Sequence, residues 1–326
     1  MQKKSLIYSL VVTILVVIIL FLSACTTQKN IPSEEFSTVK IYFCQTNDCE
    51  AGLIGFIEEA QSYVYCAFYD FNLLDTAKLL AEKSKTIDVR IVSDNSTRDD
   101  RFAAGNIVYN TESLLMHNKF CVIDDKAILT GSFNPTYNDA KRNDNNMIII
   151  YSPLLAQNYK SEFLEMWNGT FGKGEKTKNS IVNLSGIIIE NYFCPEDKCE
   201  DKVINTISSA KKSVYFMAFS FTSNPIADAL LFLDRNVTIK GVVESQNLGN
   251  YSEYERLNQF GVFVKKDSYK YKMHHKVFII DNETVITGSF NPTWSGAYNN
   301  DENILIIHDK NVADAYLKEF YRVYYS

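Results

Sequence analysis

Short runs of Val, Ile and Phe alternate along this chain with stretches whose apolar residues return every three or four positions. From residue 39 onward the pattern predicts a strand bearing Cys44, a helix over residues 53–60, a strand over 64–68, a helix over 75–83 and a strand over 89–93. A stretch without a clear period follows. Three strands then come in succession, over 119–124, 127–130 and 147–151, and a helix closes the series. The same order returns with a helix over 203–210, strands over 214–219, 238–243, 276–281, 284–287 and 304–308, a second helix over 225–233 and a closing helix. Helices alternating with short β-branched and aromatic runs predict an α/β sandwich with a mixed, largely buried sheet.

The repetition is literal as well as periodic. Tyr42-Phe43-Cys44 returns 150 residues later as Tyr192-Phe193-Cys194, and Gly131-Ser132-Phe133-Asn134-Pro135-Thr136 returns 157 residues later as Gly288-Ser289-Phe290-Asn291-Pro292-Thr293. Residues 39–167 and 186–326 are therefore expected to be two copies of one α/β/α sandwich related by a pseudo-two-fold axis, with a shared site between them. Residues 168–185 begin with a segment rich in Gly, Lys and Asn and are expected to be a linker.

Composition excludes a disordered or low-complexity chain, since 46% of the 326 residues are hydrophobic and 22% charged. Lys3 and Lys4 precede a predominantly apolar run over residues 6–22 that closes in Leu22-Ser23-Ala24-Cys25, which makes residues 1–24 an export signal. The end of that signal resembles a lipobox, which implies cleavage before Cys25 and lipid attachment to its thiol; an uncleaved signal anchor is the alternative. Either way residues 26–326 are expected outside the cytoplasm at the membrane surface. Removing the leader leaves 31 Lys and Arg against 39 Asp and Glu, a charge of −8 that argues against indiscriminate nucleic-acid binding. In that oxidising setting the equal spacing of Cys44 and Cys49, and of Cys194 and Cys199, predicts two short-loop disulfides, with a four-thiolate zinc site as the less fitting alternative. Cys66 and Cys121, within apolar strands, are expected to be buried inert thiols.

Two of the four histidines open one pattern: His117-x-Lys119-x-x-x-x-Asp124 and His274-x-Lys276-x-x-x-x-Asp281, each followed by Gly-Ser-Phe-Asn. His, Lys and an amide supply a nucleophile or acid–base group, a fixed cation and neutral donors for phosphoryl oxygens, the needs of metal-free phosphodiester cleavage. His and Lys two apart on a strand share a face. Asp124 and Asp281 end their strands and read as structural partners. Both patterns resemble the H-x-K-x-x-x-x-D motif of the phospholipase D superfamily, and the resemblance covers roughly residues 39–326.

That resemblance implies one active site in which His117, Lys119 and Asp124 join His274, Lys276 and Asp281, with no metal and no cofactor. One histidine attacks phosphorus and the other protonates the leaving alcohol; family practice favours His117 as nucleophile, and pseudo-symmetry leaves the exchange open. Asn134 and Asn291 would hold phosphoryl oxygens, with Ser132 and Ser289 donating or supporting the loop. The family often places a histidine-orienting carboxylate beyond this Asn. The second copy has Glu302 there, whereas the first has Asn145, so either Asp144 substitutes or His117 lacks a carboxylate. His275 and His308 are expected to be structural.

The substrate is expected to be a phospholipid at the membrane surface, with an exported, metal-independent endonuclease as the alternative and a single chain as the working unit. Residues 94–101 net one negative charge and residues 244–255 carry only acidic ones, although Lys265, Lys266, Lys270 and Lys272 form a basic strip before His274.

Overall fold

The computed structural model describes residues 31–35, 38–99 and 106–326, so the apolar leader and Cys25 lie outside the described residues. In the first half the strands β2 (Val39–Phe43), β3 (Tyr63–Phe68), β4 (Asp88–Asp94), β5 (Asn106–Asn110), β6 (Lys119–Ile123), β7 (Ala127–Gly131) and β8 (Asn146–Tyr151) form a sheet in the order β2-β8-β7-β6-β3-β4-β5. β3, β4 and β5 run parallel, and the other pairs are antiparallel.

The second half repeats this order with β10 (Ile187–Cys194), β16 (Glu302–His308), β15 (Thr284–Gly288), β14 (Lys276–Ile280), β11 (Ser213–Ala218), β12 (Thr238–Val243) and β13 (Phe263–Lys266). Two short strands, β9 (Ile181–Leu184) and β1 (Ser33–Glu34), extend it beyond β10. The segment expected to be a linker thus ends in a sheet strand. Residues 181–184 alternate partly and fully buried side chains and pair antiparallel with β10, a period too short to stand out beside the polar residues before it. β5 and β13 likewise occupy the stretches that showed no period.

Helices α1 (Cys49–Glu58) and α2 (Leu74–Lys83) cover one face of the first sheet, together with the core around Leu53, Phe56, Leu80 and Ile91. α1 starts four residues before its apolar period because the Asp48 carboxylate caps it, accepting from Ala51 N–H at 3.0 Å. After the short helix α3 (Tyr137–Lys141) comes α4 (Pro153–Trp167), with Ser152 as cap and Pro153 in its first turn. In the second half α5 (Cys199–Ser208) and α6 (Asn224–Leu231) take the outer face, followed by α7 (Tyr254–Gln259), α8 (Trp294–Tyr298) and the closing helix α9 (Lys310–Tyr325). Buried residues of α4 and α9 share one continuous apolar core with the inner faces of both sheets, including Tyr159, Phe163, Tyr316, Phe320, Ile148 and Leu305. Residues from Ser33 onward form one unit.

Cys44 is joined to Cys49 and Cys194 to Cys199. The expectation of two inert thiols is overturned: Cys66 and Cys121 are also joined. β3 and β6 pair antiparallel in a register that sets these two residues opposite each other, a fact invisible from either strand alone.

Candidate active site

Each histidine precedes its strand rather than lying in it. His117 comes just before β6 and His274 just before β14, held by backbone contacts with the opposite half: His117 N–H donates to Asp301 C=O at 3.0 Å, and His274 N–H to Asp144 C=O at 2.8 Å. The bridges Met116 to Asp301 and Asp144 to Met273 run parallel and cross between the copies. Both histidines therefore line one cavity of about 320 Å³, together with Tyr69, Asn134, Asp139, Phe219 and Lys272.

The crossing continues through the side chains. His117 Nδ1 lies 2.8 and 2.9 Å from the two oxygens of Glu302, a fully buried carboxylate of the second half. His274 Nδ1 lies 2.8 Å from Oδ1 of Asn145 in the first half. The sequence-level choice about the first copy is thereby corrected. His117 has a carboxylate, borrowed from the other copy, and it is His274 whose closest partner is an uncharged amide. Asp144 does not substitute. Its neighbour Asn145 faces the histidine, and Asp144 faces away, paired with Arg322.

Lys119 and Lys276 reach back along their strands, donating to the carbonyls of His117 at 2.6 Å and His274 at 2.8 Å. Tyr69 and Phe219 stand at equivalent positions and wall the two sets. The Tyr69 ring centre is 4.9 Å from that of His117, and the Phe219 ring meets His274 edge-on at 4.5 Å, with Lys276 above it at 4.6 Å. These aromatics were not singled out from sequence. Their only signal is a shared place one residue past matching strands.

Burial and neighbouring cations set the ionisation. Burial lowers the pKa of His117 against the opposing charge of Glu302. His274 is driven well below the usual imidazole value by burial, then by Lys276 and Lys119. Burial pushes Lys119 down to about 8. Lys276 is lowered further by burial and by Lys119.

The Gly-Ser-Phe-Asn loops owe their shape to glycine. Gly131 and Gly288 have φ of 144° and 143°, and a Cβ on either would collide with the carbonyl of Asn146 or Asn303. Asn134 is held by Asp139, which accepts from its backbone N–H at 3.0 Å and its Nδ2 at 2.9 Å; the Oδ1 atoms of Asn134 and Asn291 are buried without a partner. Ser132 and Ser289 are fully buried and serve the loop rather than the cavity. Ser132 donates to Asn145 Oδ1 at 2.9 Å, and Ser289 accepts from Asn303 N–H at 2.9 Å.

Asp124 and Asp281 lie past the far ends of β6 and β14 and do not reach the cavity. Asp124 accepts the N–H groups of Gln61, Ser62 and Tyr63 at 2.7–2.9 Å. Asp281 does the same with Lys211, Lys212 and Ser213, and against the effect of burial these donors hold its carboxyl below the usual range. Each carboxylate thus ties the far end of a strand that opens on a His-x-Lys pair to the start of its neighbour. His275 turns away from His274 to Glu319 at 3.0 Å, and the partly exposed His308 meets Glu190 at 2.9 Å. Of the basic strip, Lys272 lines the cavity, whereas Lys265 and Lys266 lie over the Tyr324 and Tyr254 rings. Among the described residues no group of three or more His, Cys, Asp or Glu is placed to hold a metal ion.

The family model described as cardiolipin synthase, PLD-like domain matches residues 53–167 and again 203–324. A phospholipase D of Rickettsia prowazekii (strain Madrid E) is 33% identical over 144 residues, 44% of this chain and 70% of that protein. A mitochondrial cardiolipin hydrolase of Xenopus laevis is 33% identical over 136 residues, 40% of this chain and 65% of that protein. The solved phosphatidylserine synthase of Haemophilus influenzae Rd KW20 superposes over 87% of this chain and 86% of its own with a TM-score of 0.69 at 12% identity, a likeness of fold.

Proposed function

The chain belongs to the PLD-like family of phosphodiesterases, and we propose that it hydrolyses phospholipid head groups through a phosphohistidine, acting as a lipid-tethered protein on the extracytoplasmic face of a membrane. The observation that carries this reading is the meeting of His117 and His274 in one cavity, each with Nδ1 anchored by the opposite half. Anchoring Nδ1 leaves Nε2 as the ring nitrogen that faces substrate.

In the first step His117 Nε2 attacks phosphorus, a P–N bond forms and the P–O bond to the leaving alcohol breaks. His274 gives its Nε2 proton to the departing oxygen. In the second step neutral His274 takes a proton from water, the water oxygen attacks phosphorus and the P–N bond breaks, returning His117. The ring that must stay cationic through the covalent intermediate is the one with a full carboxylate at hydrogen-bond distance, which favours His117 as nucleophile. The ring that must release its proton sits among cations, which favours His274 as acid. Lys119, Lys276, Asn134 and Asn291 would neutralise and orient the non-bridging oxygens.

Three features favour lipid over nucleic acid. The leader and Cys25 would hold the site near a bilayer. The mature charge of −8 disfavours a polyanion. Tyr137 and Trp294, at equivalent positions three residues beyond Asn134 and Asn291, are 55% and 63% exposed, and such rings suit a lipid–water boundary. The test compares initial rates of residues 26–326 on phosphatidylglycerol vesicles and on a single-stranded oligonucleotide at equal phosphodiester concentration. Vesicle hydrolysis lost by roughly 10³-fold in both His117→Ala and His274→Ala supports the reading. Cleavage of the oligonucleotide alone overturns the lipid assignment, and half-activity in either variant overturns the shared site.

A further inference from the structure

Among the differences between the two halves around their histidines, two concern carboxylates. Glu302 in the second half corresponds to Asn145 in the first, and Asp139 in the first half corresponds to Gly296 in the second. The two differences converge on one atom, because His274 Nδ1 lies 2.8 Å from Asn145 Oδ1 and 3.6 Å from Asp139 Oδ2. On His117 a single carboxylate supplies both the acceptor and the charge. On His274 those two duties fall to separate side chains.

Asp139 is built into place. It sits in the first turn of α3, lines the cavity and is buried, with Oδ2 accepting from Asn134 and Oδ1 from Asn143 Nδ2 at 2.7 Å. The second half has no room for an equivalent, since a Cβ on Gly296 would fall 2.5 Å from the Asn291 carbonyl oxygen. The groups that face His274 are otherwise the cations Lys276, Lys119 and Lys272, the imidazole of His117, the amide of Asn145 and the edge of Phe219. Asp70 stands beside Asp139 at the cavity wall.

We propose that Asp139 is a positioning residue that gives His274 the negative charge its hydrogen-bond partner Asn145 lacks, so that His274 can hold the proton a leaving alkoxide needs. This rests on the reading of His274 as the acid. The carboxylate lies beyond direct hydrogen-bond distance, so it favours the imidazolium without locking the proton on Nδ1's side of the ring. Burial and the surrounding lysines drive His274 well below the usual imidazole value even with Asp139 in place, so removing that negative charge leaves still less of the imidazolium that a leaving alkoxide needs. A neutral His274 can still act as base in the second step, and its failure is confined to leaving groups that require a proton.

The intact protein is assayed on two phosphodiesters, a phospholipid whose alcohol must be protonated to leave and a p-nitrophenyl ester whose phenolate leaves unaided. Asp139→Asn is expected to lower the phospholipid rate by about 10²-fold and the nitrophenyl rate by no more than about threefold, as loss of general-acid catalysis requires. The imidazole signal of His274 in a proton NMR titration should move to lower pH in that variant, with His117 moving less. The double variant Asp139→Gly/Asn145→Glu gives the first half the pattern of the second and should recover the phospholipid rate to within about fivefold of wild type. Equal loss on both substrates, an unmoved His274 titration or no recovery in the double variant overturns the proposal while leaving the phosphodiesterase reading intact. A wild-type protein inactive on both esters overturns that reading, and this inference with it.

Discussion

Nδ1 of His117 lies 2.8 Å from Oε1 of Glu302, a residue 185 positions away in the other half of the chain. The reciprocal contact, His274 to Asn145, spans 129 positions in the opposite direction. Each copy thus aims the histidine of the other, and the bridges beside them, Met116 to Asp301 and Asp144 to Met273, tie the same segments together through the backbone. Within this chain neither copy orients its own histidine; each supplies the residue that orients its counterpart's.

Glu302→Gln keeps an acceptor for His117 Nδ1–H but removes the charge that would stabilise the cationic phosphohistidine. The expected result is a kcat lower by about 10²-fold with KM changed little, as for loss of an orienting carboxylate. Steady-state kinetics on phospholipid vesicles measure it, and a loss confined to KM counts against the pairing.

The pH profile of kcat/KM should be a bell displaced from the ordinary histidine range. Burial lowers His117, so its neutral, nucleophilic form is already present below pH 6.5, the usual imidazole value, and the acid limb lies there. Lys119 is pushed down to about 8 by burial, and above that pH it loses the charge that would hold the phosphoryl group. The alkaline limb set by the acid His274 lies lower, because its pKa is driven well below the usual imidazole value; deprotonation of Lys119 is expected to add a further fall near pH 8, and only that fall should disappear in Lys119→Arg, whose guanidinium stays protonated.

Acid should stabilise this fold rather than weaken it over part of the range. Asp301 is raised to about 8 by burial and Glu196 to about 7, with Glu162 raised beside them. A carboxyl whose folded pKa lies above its unfolded value binds more protons in the folded state, so stability falls as pH rises from the unfolded pKa toward the folded one. Asp301→Asn should raise the thermal midpoint by a few degrees at pH 8 and by less at pH 5. Scanning calorimetry at the two pH values decides it, and an equal shift at both removes Asp301 as the cause.

All six cysteines from Cys44 to Cys199 are paired, so thiol titration of denatured, unreduced residues 33–326 should find no free thiol. Opening the Cys66–Cys121 link, which spans 55 positions, should cost about 2–4 kcal/mol. Denaturant unfolding of Cys66→Ala/Cys121→Ala measures that loss.

Period and repetition in the sequence were enough to establish the order of the main strands and helices, the duplicated halves and the two His–Lys–Asn sets, because all of these are local patterns that recur at matching places. The partners of those residues were decided elsewhere. Asn145 reaches His274 and Asp144 does not, although they are adjacent, because consecutive side chains on an extended segment face opposite ways and only the packing of the two sheets says which way is inward. Cys66 and Cys121 looked like two inert thiols for the same reason, since their pairing follows from the register of β3 against β6. Local sequence determines what each strand and helix is and which groups it carries. Which carboxylate faces which histidine, across 129 to 185 positions, was decided by how the halves pack, because those contacts have no local energy and exist only once both sheets share one core.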